Sequence, residues 1–201
     1  MWLKALERRV LERVLAPPPK LLFRERQLER ALGLVEGGES FVVYGPVGTG
    51  KTTLALAAVR GVESVAYVSC ASARTYSALR SKLLKPAAYY LLDDYTMALR
   101  DPRLRELVRS LKPKIVVVYP PVEAYEELEG LERIEMPPYA LEELEEICRE
   151  RAARLALAVD EEDVRAAARA GFEHGGNARV ALMVLAERAV ANLQRAAALR
   201  A

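Results

Sequence analysis

A chain of 201 residues, 52% hydrophobic and 29% charged, has ample apolar material for a buried core and is a poor candidate for the disordered or fibrous classes. Thirty basic against 28 acidic side chains leave a net charge of +2, which neither demands nor excludes a nucleic-acid partner, and the length suits a core domain with a small appendage. Uninterrupted apolar runs such as Ile115–Val118 are far too short for a bilayer, and Lys4, Glu7, Arg8 and Arg9 interrupt the N-terminus where a secretory signal would be apolar, so the expectation is a cytoplasmic protein with no membrane partner.

In chain order, Leu3, Leu6, Val10, Leu11, Val14 and Leu15 recur at helical spacing, predicting an amphipathic helix over 2–15 that Pro17 to Pro19 stop. A second helix is predicted over 24–34, ending at Gly37 and Gly38. The period then changes. Residues 40–44 form a β-branched and aromatic run leading into a glycine-rich turn at 45–50, and 51–60 reads as helix. Strands are predicted at 65–69, 89–93 and 115–119, with helices at 75–84 and 102–111 between them. Short strands, apolar on both faces and alternating with helices, indicate a covered parallel sheet.

Charge is unevenly distributed. Residues 74–85 carry Arg74, Arg80, Lys82 and Lys85 without an acid, and 100–114 carry Arg100, Arg103, Arg105, Arg109, Lys112 and Lys114 against Asp101 and Glu106. The stretch 123–135 is acidic, with Arg133 as its one base. Beyond Pro137 and Pro138 the strand signal vanishes, and helices are predicted over 141–157, 161–170 and 177–198, with Asp160 as an N-cap and Gly171 as a stop. The expected class is therefore α/β, with a parallel-sheet core domain over 1–136 that includes the N-terminal helix, then a small all-helical domain over 137–201. Cys70 and Cys148 lack ligand-like spacing and are expected to be buried thiols.

Gly45, Pro46, Val47, Gly48, Thr49, Gly50, Lys51 and Thr52 fit the phosphate-loop pattern G-x-x-x-x-G-K-[ST] between a predicted strand and a predicted helix, with Thr53 next in that helix. Glycines let successive backbone N–H groups face phosphates, Lys51 reaches the β/γ oxygens and Thr52 ligates Mg²⁺. ATP or ADP with Mg²⁺ is the expected ligand. The apolar strand ending in Asp93 and Asp94 supplies the companion carboxylates, Asp93 for the metal's water shell and Asp94 to polarise an attacking water. Arg179, in the first turn of the last predicted helix, opposes the helix dipole and makes sense as a reader of the γ-phosphate. His174 beside it reads as a loop residue.

Together these motifs make the chain resemble the AAA+ ATPases, and within them the archaeal and eukaryotic Orc1/Cdc6 replication initiators. The resemblance rests on Leu21 to Arg26 before the first core helix, Phe41 to Tyr44, Tyr67 to Cys70 with Arg74 to Tyr76, Met136 to Tyr139 followed by Glu142 to Leu144, and Gly176 to Leu182. It implies a P-loop AAA+ core with a helical lid, nucleotide between the two, and an ATP/ADP-controlled switch in DNA replication initiation.

The family's sensor-2 arginine maps onto Arg179, and Arg133 is the nearest match to its arginine finger. Three departures stand out. Asp94 occupies the place of the usual Glu, Tyr119 that of the sensor-1 Asn, and only residues 71–88 separate Cys70 from Tyr89, where the family carries a longer DNA-contacting insertion. The first two imply slow ATP hydrolysis. The short insertion, with the expectation from the resemblance that the winged-helix domain is missing after the lid, weakens the case for direct DNA binding. Alternatives are a nucleotide-bound adaptor that does not hydrolyse ATP and a DNA-binding remodeller using the basic core segments. The implied partner is another replication protein or a second copy of the chain.

Overall fold

The computed structural model describes residues 2–73, 75–97 and 101–199. Arg74 and Arg100 of the basic segments, and the side chains of Leu3, Lys4 and Leu6, lie outside the described residues. The chain divides into a sheet unit, Arg24–Pro46 with Gly50–Met136, and a helical unit made of the segment ending at Phe23, the tripeptide Val47–Thr49 and the segment from Pro137.

The sheet unit carries β1 (Phe41–Tyr44), β2 (Val65–Ser69), β3 (Tyr89–Asp93), β4 (Lys114–Val118) and β5 (Glu132–Glu135) in the order β2-β3-β4-β1-β5, and every pairing is parallel. Parallel neighbours need crossover connections, supplied here by α3 (Lys51–Ala58), α4 (Tyr76–Leu83) and α5 (Pro102–Ser110), while α2 (Glu25–Glu36) precedes β1. Leu79 and Leu83 of α4 and Leu104 and Val108 of α5 share one core with Val68, Leu92, Val42 and Val116. Phe41, Val43, Leu91 and Ile115 alternate with these along their strands and are also fully buried, so both faces of the sheet are covered. Lys114, at the start of the central strand β4, is buried as well, and its Nζ donates to the Leu111 carbonyl at 3.0 Å. That burial lowers its pKa from the ordinary lysine value.

The sheet has one strand more than the sequence pattern predicts. β5 lies in the acidic stretch and pairs with β1, setting Val43 against Ile134, and the Met136 amide continues the ladder to the Tyr44 carbonyl at 2.8 Å. Only Ile134 of its four residues is buried, so an edge strand dressed in charge shows no apolar run.

The helical unit contains α1 (Trp2–Leu15), α6 (Leu141–Leu155), α7 (Glu161–Glu173) and α8 (Ala178–Ala198). Its core gathers Val14, Tyr139, Leu144, Cys148, Val164, Ala168, Ala181 and Leu185. The N-terminal helix, expected with the core domain, therefore belongs to the helical unit: Val14 is fully buried there, with Val10 and Leu11 packed beside it. Gly171 is not a stop. α7 runs through it to Glu173, and a Cβ at Gly171 would lie 2.7 Å from the Ala181 Cβ and 2.8 Å from the Asn177 carbonyl, so the missing side chain lets α8 approach. Asp160 caps α7 as expected, its Oδ1 accepting from the Asp163 amide at 2.9 Å.

Both cysteines are free and buried, and burial pushes each thiol up to about 12. Tyr95, whose hydroxyl donates to Glu127 Oε1 at 2.6 Å, is raised far above the ordinary tyrosine value, first by burial and then by that carboxylate. The unfolded chain gives up these protons from about pH 8.5 for thiols and 10 for phenols while the folded chain keeps them. Unfolding free energy is accordingly expected to fall as pH rises from about 9 to 12. Urea unfolding across that range checks this, and a flat profile would contradict it.

Candidate functional site

The loop from Gly45 to Gly50 leaves β1 and delivers Lys51 and Thr52 to the first turn of α3. Gly45 has φ +150°, and a Cβ there would stand 2.2 Å from the Met136 carbonyl oxygen. Gly48 has φ +79°, and its Cβ would overlap Asn177 Oδ1 at 1.8 Å. Both positions exclude any side chain: the motif requires glycine at 45, whereas at 48, a variable position of the pattern, the requirement comes from Asn177. Gly50 precedes α3 in the left-handed region, and as a glycine it offers no side chain to cap the helix. Thr49 is fully buried, Val47 is half exposed, and Thr53 is half-buried in α3. Lys51 folds back and donates from Nζ to the Pro46 carbonyl at 2.6 Å.

Asp93 ends β3, where it is only 4% exposed. Its Oδ1 accepts from Thr52 Oγ1 at 2.9 Å and from the Asp94 amide at 3.0 Å, and its Oδ2 accepts from the Tyr67 hydroxyl at 3.0 Å. Thr52 and Asp93, 41 residues apart, are thus brought together as the two motifs imply. Tyr67 was not among the candidate residues. Its signal was available: on β2 it lies two residues before Ser69, the register partner of Asp93, and strand alternation turns both side chains to one face. Burial and the Asp93 charge push the Tyr67 hydroxyl up to about 12, and Cys70, whose amide donates to the Asp93 carbonyl, is raised partly by the charges of Asp93 and Asp94.

This donor set fits a small hard cation. Mg²⁺ prefers one or two carboxylates, hydroxyl, phosphate and retained water over an all-protein cage, and Thr52 with Asp93 offers such oxygens. Among the described residues no group of three or more His, Cys, Asp or Glu could hold a metal ion. The helix amides and Lys51 suit the phosphates of a nucleotide.

Asp94 is exposed and has φ +50°, a left-handed backbone that Asp tolerates better than most residues. Tyr119, just beyond β4, is 48% exposed, and its amide donates to Thr96 Oγ1 at 2.7 Å. Arg133 on β5 is engaged with Glu123, its NH1 lying 2.6 Å from Oε1. Arg179 is exposed in the first turn of α8, in the helical unit, where Asn177 Oδ1 caps the helix by accepting from the amides of Arg179 at 3.0 Å and Val180 at 3.3 Å. His174 closes α7 as a loop residue, with Nδ1 2.7 Å from the Ala170 carbonyl.

A family model of the AAA ATPase domain matches residues 20–198. No curated protein matches the chain. Among solved structures, the chain is similar to the Holliday junction branch migration motor RuvB of Thermotoga maritima, with TM-score 0.60 and 17% identity over 80% of this chain and 59% of that one. It is also similar to the ORC2 protein of Aeropyrum pernix, described in ADPNP and ADP complexes, with TM-score 0.62 and 19% identity over 89% of this chain and 64% of that one. The chain spans about three fifths of the length of these proteins. At such identities the likeness concerns the fold.

Proposed function

Because the chain belongs to the AAA ATPase domain family, we propose that it binds ATP with Mg²⁺ and works as an ATP/ADP-controlled switch of the Orc1/Cdc6 type in DNA replication initiation, hydrolysing ATP slowly. The observation that carries this reading is the meeting of Thr52 and Asp93 at 2.9 Å beside a glycine loop that opens α3. In the proposal the amides of Gly48 to Thr53 and Lys51 hold the phosphates, Thr52 and Asp93 hold the cation, and Arg179 distinguishes ATP from ADP. A bound Mg²⁺ supplies charge neutralisation on the β- and γ-oxygens. A ligand shifts such a switch only through its differential affinity for two states, which is the part assigned to Arg179.

Slow hydrolysis is assigned to Asp94, whose carboxylate sits one methylene short of a glutamate, and to Tyr119, which has no side-chain amide to orient a water. Single-turnover hydrolysis by the wild type and Asp94→Glu tests this. The expected result is a low wild-type rate that Asp94→Glu raises about tenfold or more, within the range of general-base catalysis. At φ +50° the longer residue should also cost about 0.5–1 kcal/mol of stability, measurable by urea unfolding. A fast wild-type enzyme that Asp94→Glu does not improve would sink the assignment.

The DNA-remodeller reading has less support. On α5, Arg103 pairs with Asp101 at 2.7 Å, Arg105 lies 4.0 Å from Glu127 and Arg109 lies 3.9 Å from Glu126, so much of that basic run is balanced locally. Arg103 also stacks on Tyr76, 4.5 Å from the ring centre, which occupies the one aromatic available for base stacking there.

A further inference from the structure

The Tyr67 hydroxyl has been given no role above, yet it touches the most deeply buried carboxylate of the candidate site. Asp93 has two oxygens with different partners. Oδ1 faces Thr52 and the Asp94 amide, and Oδ2 accepts from Tyr67. A carboxylate plane turns readily about its last torsion, so hydrogen bonds on both oxygens decide which one points where. Thr52 cannot hold that plane alone if its hydroxyl is also to serve a cation. Tyr67 can, because it approaches from β2, across the strand pair, and donates to the other oxygen.

We propose that Tyr67 is a positioning residue for the metal: by donating to Asp93 Oδ2 it keeps Oδ1 turned toward Thr52, where the cation is received. This rests on the reading of Thr52 and Asp93 as the Mg²⁺ residues. Partners that orient a metal-binding group typically change metal affinity by 10- to 100-fold when removed, and Tyr67, acting on a single carboxylate, belongs at the lower end of that range. Tyr67→Phe deletes the donor and keeps the ring.

The test is an equilibrium titration of the full chain with a fluorescent ATP analogue, first in EDTA and then over a series of Mg²⁺ concentrations. Wild type, Tyr67→Phe, Asp93→Asn and the double variant are compared. The readout is the Mg²⁺ concentration giving half of the metal-dependent gain in affinity, which a purely structural role would not move. The expected result is a rise of about tenfold in Tyr67→Phe, and no further rise when Tyr67→Phe is added to Asp93→Asn. An unchanged Mg²⁺ requirement in Tyr67→Phe overturns the proposal and leaves the nucleotide reading intact. So does an equal effect of Tyr67→Phe with Asp93 or Asn at position 93, because the hydroxyl would then act elsewhere. A wild type that binds no nucleotide, or binds it without regard to Mg²⁺, overturns both readings.

Discussion

Lys51→Ala is expected to weaken ATP binding by about 10- to 150-fold, the loss that follows when a charged hydrogen bond worth about 1.5–3 kcal/mol is deleted. The ammonium group donates to the Pro46 carbonyl, 2.6 Å away, and the negatively charged oxygens of a phosphate are stronger acceptors for an ammonium than that neutral carbonyl. Alanine is the best helix former and stands in the first turn of α3, so the fold should tolerate the change. Thermal unfolding checks this. ATP at 100 times its dissociation constant adds about 2.7 kcal/mol to the wild type, a shift of roughly 5–10 °C for a chain of this size. At the same ATP concentration the variant should shift by about 1–6 °C, the smaller value for the larger loss of affinity. Equal shifts in both proteins would mean that Lys51 does not hold the phosphates.

The second large effect concerns stability. Arg151 of α6 is buried to 3% exposure, and its NH1 donates to the carbonyls of Val14 and, at 3.0 Å, Ala16. These are the last turn of α1 and the residue after it, where a helix leaves its final carbonyls without internal partners. Burial opposes the guanidinium charge and lowers its pKa, so the group stays inside because those oxygens receive it. Arg151→Ala removes the donor from two carbonyls and leaves a cavity, and the expected cost is about 3 kcal/mol. Arg151→Met refills much of the volume without the hydrogen bonds and should recover only part of it. Urea unfolding gives the magnitude, and limited proteolysis should show new cleavage near residues 16–20 as α1 loosens. A change under about 0.5 kcal/mol would show that the carbonyls find other partners.

Much of the candidate site was legible locally. The phosphate-loop spacing requires glycine at Gly45 and Gly50, where φ is positive, and a conformational requirement of that kind is written residue by residue. Asp93 follows an apolar strand, and such a strand beside the loop has few places to go in a parallel sheet. Asp160 declared itself as a cap because capping is a contact between residues three apart. Gly171 misled for the same reason: a glycine late in a helical pattern reads as a stop when its actual reason, the approach of Ala181, lies in another helix.

The sequence by itself therefore determined what depends on short range: the α/β alternation, the loop, the carboxylates at the end of β3 and the helical run after Pro138. The tertiary structure alone decided three other features. β5 is a strand because β1 offers it an open edge, and its own four residues bury only Ile134. α1 joins the helical unit because Val14 and the Arg151 hydrogen bonds hold it there, while its amphipathic stripe fits any apolar surface. Tyr67 meets Asp93 because the register of β2 on β3 places Ser69 beside it and Tyr67 on the same face. Periodicity and turn chemistry are encoded by neighbours in the chain, whereas register, edge pairing and helix docking are chosen among many partners by burial and hydrogen bonding summed over the folded molecule.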